Sequence, residues 1–158
     1  MKKLFLLLLL VFLFEPSCSK EEINVYNPTT IVYYSKIETQ TLLLVNEYRK
    51  SINLSELILL DEISNVAKEH TEYMIQSDTI SHDGFGNRVQ FLMERVDAKA
   101  VGENVGFGYA TANGVLSGWL SSTGHRNIIE NPNYTHFGIS IDTSNVGRNY
   151  FTNIFIKI

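Results

Sequence analysis

The stretch "HFGISIDTSNVGRNYFTNIFIKI", residues 136–158, decides the fold class. Phe137, Ile139 and Ile141 alternate with Gly138, Ser140 and Asp142. After a break, Tyr150, Thr152, Ile154, Ile156 and Ile158 alternate with Phe151, Asn153, Phe155 and Lys157. A repeat of two is the side-chain period of a strand, and β-branched and aromatic residues suit a pleated surface. Ser144, Asn145 and Gly147 lie between the two runs and are turn formers. The pattern predicts two strands joined by a loop.

Working upstream, the period changes from two to between three and four. In residues 37–52, Thr41, Leu44, Val45, Tyr48 and Ile52 recur at helical steps. "INLSEL" (52–57) interrupts the pattern, with Ser55 as a cap. Asp61 then opens a second helix to Gln76, with Ile63, Val66, Ala67, His70 and Met74 on one face. "SHDGFG" (81–86) reads as a loop. Asn87 with Gln90 makes a capping-box pattern opening a third helix to Val96. "VGENVGFG" (101–108) is glycine-rich and extended, and Thr111 caps a fourth helix through Leu120 with Val115, Leu116 and Trp119 inward. A short helical turn is expected around residues 124–129. Helices early and antiparallel strands late predict an α+β fold in which helices cover a sheet.

The chain has 158 residues and a formal net charge of −4. That length suits one domain with a substantial core. The charge argues against nucleic acid as a partner, because no basic stripe is present to neutralise phosphates.

The N-terminus reads "MKKLFLLLLLVFLFEPSCSKEE". Two lysines precede an apolar run of eleven residues, Leu4 to Phe14. The run is too short to span a bilayer as a helix and fits a signal peptide. Cys18 is the only cysteine, so no intramolecular disulfide can form. The segment resembles a bacterial lipoprotein signal, which implies lipidation of Cys18 and attachment to a membrane. Ser17 fits the small residue expected before that cysteine, whereas Glu15 departs from the pattern. "SKEE" after Cys18 resembles an acidic tag that directs some Gram-negative lipoproteins to the cell surface. The organisation read from these features is a signal peptide at 1–17, a lipidated cysteine and tether at 18–35, and a folded domain at 36–158. The expected location is the outer membrane or cell surface, or otherwise secretion. A short strand at Ile31–Tyr34 is the alternative to a tether there.

Four histidines carry the candidate chemistry. His70 lies on the apolar face of the second helix and reads as a core residue. His136 begins a strand and reads as exposed. His82 sits in the "SHDGFG" loop, and loops carry function disproportionately. His125 follows Gly124 at a helix start. Glu103, between glycines and Asn104, is placed by no helical period; it is either a surface turn residue or a site residue. Two imidazoles and a carboxylate suit a divalent metal such as zinc, with water completing the shell. The intervals are 21 and 22 residues and no HExxH motif is present, so spacing alone does not define the site.

The segments "LLLVNEYRKSINLSEL", "DEISNVAKEHTEYM", "ISHDGFGNRVQ", "VGENVGFG", "GWLSSTGHRNIIENPNYTHFGISI" and "YFTNIFIK" resemble, in order, a domain of the CAP superfamily. That superfamily comprises cysteine-rich secretory proteins, antigen 5 and pathogenesis-related proteins, and the likeness is to its cysteine-free bacterial branch. The resemblance implies a three-layer α-β-α sandwich with a cleft holding two histidines and two acidic residues. His82, Glu103 and His125 match three of these positions. The second acidic residue is expected three positions after Trp119, where this chain has Ser122. Arg126 and Asn127 are expected to fix the "GHRN" turn through side-chain to backbone bonds.

Three function classes follow, the third being a purely structural or adhesive surface protein, for which the tether and anchor would suffice. The first is a lipid-anchored binding module whose cleft takes a metal, a lipid or a cell-envelope ligand. The second is a hydrolase of peptide or envelope polymer, metal- or His/Glu-dependent, with Glu103 and His125 as catalytic groups. Ser122 in place of a carboxylate, and the lack of a nucleophile turn such as G-x-S-x-G, favour binding. The His82–Glu103–His125 trio would also serve as a purely structural hydrogen-bonded network.

Overall fold

The computed structural model describes residues 32–158. The expected signal peptide, Cys18 and most of the tether lie outside the described residues. Five helices and four strands follow in order: α1 (Lys36–Ser51), β1 (Ile58–Leu59), α2 (Asp61–Gln76), α3 (Phe85–Val96), β2 (Ala100–Phe107), α4 (Ala112–Ser121), α5 (Thr123–Ile129), β3 (His136–Thr143) and β4 (Asn149–Lys157). The strands form one sheet in the order β1-β3-β4-β2. β3 and β4 pair antiparallel with Ile141 opposite Phe151, and β4 pairs antiparallel with β2, with Glu103 opposite Ile154. Among the described residues no helix is long and apolar enough to cross a membrane.

Alternation along β4 distributes its side chains to two cores. Phe151 and Phe155 join Val45 of α1, Val115 and Trp119 of α4, Ile129 of α5 and Phe137. Ile154 and Ile156 face the other way, onto Ile63, Val66 and Ala67 of α2 and Leu92 of α3. Tyr150 packs with Met74 and Val105. Every residue from Tyr150 to Ile156 is buried, so β4 is a central strand covered on both faces. The result is three layers, with α1, α4 and α5 on one side of the sheet and α2 and α3 on the other. Each large side chain removed from water this way contributes about 1.5–3 kcal/mol.

α2 runs close against β3. A Cβ on Gly138 would lie 2.3 Å from the backbone nitrogen of Ser64, so only glycine lets the helix approach this closely. β1 is so short that most of the outer edge of β3 has no strand beside it, and side chains take its place. Ser64 Oγ accepts the Ile139 N–H at 3.1 Å, and Glu38 Oε1 accepts the Ile141 N–H at 2.9 Å. An edge whose donors are already bonded offers no template for another chain.

Several local expectations are corrected. β1 is a strand that the pattern does not predict, and it pairs parallel with β3, giving the sheet one parallel pair in addition to its antiparallel ones. Ser55 caps no helix; its carbonyl accepts a hydrogen bond from Arg49 Nε instead. The residue before α2 is Leu60, which makes no side-chain cap. α3 begins at Phe85 rather than Asn87, and the capping box is not formed. Gly84 turns the chain at φ +70°, a left-handed conformation glycine adopts without strain, and its carbonyl takes the first N–H bonds of α3. Val32–Tyr34 forms no strand; Ser35 caps α1 in a capping box with Glu38. Thr111 caps α4 as its pattern predicts, its Oγ1 accepting the Gly114 N–H.

Candidate functional site

The site is built around β2, one of the two edge strands of the sheet. Alternation along β2 sends Glu103 toward α2 and α3 and Asn104 toward α5. Both are buried, at 3% and 0% exposure. A buried carboxylate is tolerated only with strong partners. Glu103 has two. Arg88 donates from Nε to Oε2 and from Nη2 to Oε1, each at 2.8 Å. His82 Nδ1 donates to Oε1, also at 2.8 Å. Arg88 comes from the first turns of α3 and His82 from the loop before it, so the α2–α3 connection folds down onto the strand.

That loop is fixed from behind. His70 of α2 is buried, and its Nε2 donates to the Ser81 carbonyl at 2.8 Å. Burial pulls the His70 pKa below its ordinary value, so the ring is neutral with its proton on Nε2. Arg88 Nη1 donates to the Asp83 carbonyl at 2.7 Å, and the Tyr73 hydroxyl donates to Asp83 Oδ2 at 3.2 Å. A cavity of about 330 Å³, lined by His70, Tyr73, Asp83, Asn87 and Arg88 among others, opens on this outer side.

His125 approaches from the opposite layer. Asn104 Nδ2 donates to the His125 carbonyl at 3.0 Å, and Trp119 Nε1 donates to the Val105 carbonyl at 2.8 Å, so β2 ties down both α4 and α5. The His82 and His125 ring centres are 6.5 Å apart. The His82 side chain is half exposed. His125 is half-buried, and its pKa is lowered first by burial and second by His82. It is therefore held as the neutral base.

The structure thus brings His82 and Glu103 into direct contact and sets the His125 ring close to that of His82. Trp119 is in the core at 1% exposure. Ser122 links α4 to α5, its N–H on the Trp119 carbonyl and its own carbonyl accepting the Arg126 N–H. Arg126 and Asn127 do not fix the turn; both are exposed. Asn104 holds its start, and Arg49 holds its end through Nη1 bonds to the carbonyls of Ile129 and Asn131. His136 is half-buried at the start of β3, with Nδ1 2.9 Å from Thr135 Oγ1. Among the described residues no group of three or more His, Cys, Asp or Glu forms a ready metal cage.

Arg88 is the residue that sequence reasoning misses. A signal was available: a carboxylate inside a strand flanked by helices requires a cation. No local pattern says which cation supplies it.

The domain has three layers, α-β-α, and carries a strand-borne glutamate bonded to His82. The sequence model of the cysteine-rich secretory protein family, CAP, matches residues 42–155, and the chain belongs to that family. It is 35% identical to the uncharacterized membrane protein YlbC of Bacillus subtilis over 123 residues, which cover 76% of this chain and 34% of that protein. Among solved structures it is similar to an outer surface protein of Borrelia burgdorferi, with a TM-score of 0.72, 23% identity, and coverage of 80% of this chain and 96% of that one. It is also similar to an extracellular SCP-domain protein of Bacillus anthracis, with a TM-score of 0.67, 26% identity, and coverage of 77% of this chain and 40% of that one. The chain spans about a third of YlbC and 44% of a second Bacillus subtilis relative, YkwD.

Proposed function

We propose that this chain is an exported, lipid-anchored CAP domain that acts as a binding module, with His82 and His125 taking a divalent metal such as zinc, or a small-molecule, lipid or envelope ligand. One observation carries the preference for binding over hydrolysis. Both Glu103 oxygens are engaged, by Arg88 and by His82, so the carboxylate is an orienting acceptor rather than a free base. Location outside the cytoplasm is supported by the names of its relatives, an outer surface protein and an extracellular protein. Attachment through Cys18 rests on the N-terminal sequence.

The donor set fits a metal. A histidine bonded through one ring nitrogen to a buried carboxylate is oriented to offer the other nitrogen to an ion. His82 has that arrangement, and His125 is held neutral beside it. Glu103 would be a neighbour of the ion rather than a ligand. Two imidazoles supply half of a tetrahedral shell and leave the remaining positions for water or a ligand group. When bound, the metal would polarise that group.

Zinc titration of wild type, His82→Ala and His125→Ala by calorimetry tests this reading. Wild type is expected to bind zinc and to gain thermal stability, and each variant to lose both. A wild type that neither binds zinc nor is stabilised, with both variants less stable in the absence of metal, would make the trio a structural network. Product release from peptide or envelope polymer, abolished by Glu103→Gln, would favour the hydrolase.

A further inference from the structure

The terminal torsion of a glutamate is broad and roughly two-fold, so covalent geometry alone does not fix the plane of the Glu103 carboxylate. Something has to hold Oε1 in front of His82. Arg88 is the group placed to do so. Its Nε and Nη2 meet the two carboxylate oxygens as a fork, and its Nη1 is bonded to the Asp83 carbonyl, one residue beyond His82. One side chain therefore fixes both the acceptor and the loop that carries the donor. The Arg88 side chain is 11% exposed and that of Glu103 1%, so water barely competes for this pairing.

His70 is the other polar group near Oε1, at 3.9 Å, beyond hydrogen-bond reach. Its Nε2–H is committed to the Ser81 carbonyl. Oε1 is thus left to Arg88 and His82. A carboxylate held by a guanidinium accepts hydrogen bonds and donates none. The hydrogen between Oε1 and His82 must then sit on Nδ1, which leaves the lone pair of the ring on Nε2.

We propose that Arg88 is a positioning residue for the ligand site. Its two-point clamp on Glu103 fixes His82 in the Nδ1–H tautomer and so presents Nε2 to the space shared with His125. This deepens the binding reading and rests on it. Lysine cannot replace arginine here: an ammonium is a point charge and cannot pin both oxygens in one plane.

The test uses the full chain labelled with ¹⁵N-histidine, metal-free, at about pH 8, where imidazoles are neutral. Long-range imidazole ¹H–¹⁵N correlation separates the two tautomers. Wild-type His82 is expected in the Nδ1–H form. R88K keeps the charge but not the fork, and is expected to show a mixture of both forms. E103D withdraws the carboxylate from the fork by one methylene and tests the same clamp from the other side, with the same mixture expected. Zinc affinity is expected to fall about tenfold or more in R88K. His82 in the Nε2–H form in wild type, or R88K and E103D with the wild-type tautomer, overturns the proposal. Failure of wild type to bind zinc sinks the metal reading instead, and the tautomer comparison still decides the role of Arg88.

Discussion

At the scale of single residues, the site is a solution to burying charge. Glu103 is on a strand, has helices over it, and is shut off from water, so Arg88 neutralises it and His82 donates a further hydrogen bond to Oε1. Two nearby imidazoles, His70 and His125, are kept neutral by burial. For both His70 and His125 the folded-state pKa is depressed below the ordinary value, with desolvation as the leading cause. The sign follows. Neutral imidazole is the form the fold prefers, so its contribution is fully present above the unfolded pKa of about 6.5 and is lost as pH falls through the lower folded value. The melting temperature is therefore expected to fall between about pH 7 and pH 5, and to fall less in His125→Ala, as thermal scans across that range would register. Identical slopes in wild type and variant would remove His125 as a contributor.

His82, Glu103 and His125 are legible in the sequence one at a time, through a loop, a glycine-flanked strand and a helix start. Their relation is not. Arg88 lies 15 residues before Glu103 and 6 after His82, and its own helix gives no reason to single it out. Glu38 and Arg49 are similar cases. Both lie on the inward face of α1, at 8% and 0% exposure. Each is matched to backbone groups far along the chain, Ile141 for one and Ile129 for the other. An apolar-face count cannot foresee charged residues there.

At the scale of elements, periodicity is a good guide where one face of a helix is plainly apolar. α2 runs over the residues its pattern predicts, and Ile63, Val66, Ala67, His70 and Met74 are all buried. Boundaries fail where a backbone conformation, rather than a side chain, ends the element. The start of α3 is set by Gly84 at positive φ, which overrides the capping pattern of Asn87 and Gln90. β1 is only two residues long, too short to carry a period, and exists because β3 offers it a partner. The close seat of α2 on β3 gives an element-scale prediction. Gly138→Ala would push a methyl into the Ser64 backbone, where nothing flexible can yield. A loss of about 3 kcal/mol, the upper end of ordinary overpacking, is expected in urea denaturation. A change below about 0.5 kcal/mol, the range of an ordinary surface substitution, would mean that α2 shifts freely.

At the scale of the whole molecule, the three layers serve the site by making β2 an edge strand between two helical layers. Glu103 looks into one layer and Asn104 into the other, so the strand anchors His82 on one side and the His125 backbone on the other. This explains how residues 43 positions apart come to have neighbouring rings. The proposed membrane attachment belongs to the same scale. On the proposed attachment through Cys18, Cys18→Ser is expected to move the protein from the membrane fraction to the soluble one on cell fractionation, since lipid chains rather than a membrane-spanning helix would anchor it. Retention in the membrane fraction would reject that attachment.

The sequence by itself determined the period of most long elements, the order of the long helices and strands, the family, and three candidate site residues. These are encoded locally, in spacing and in short motifs. Only the tertiary structure decided which cation neutralises Glu103, that His70 braces the Ser81–His82 loop, and that Asn104 and Arg49 rather than Arg126 and Asn127 hold the turn after His125. The physical reason is one of range. A hydrophobic repeat fixes which face of an element turns inward, but a buried charge or an unpaired carbonyl is satisfied by whatever donor the packed layers bring within about 3 Å. In this chain the partners so joined lie as far as 103 residues apart.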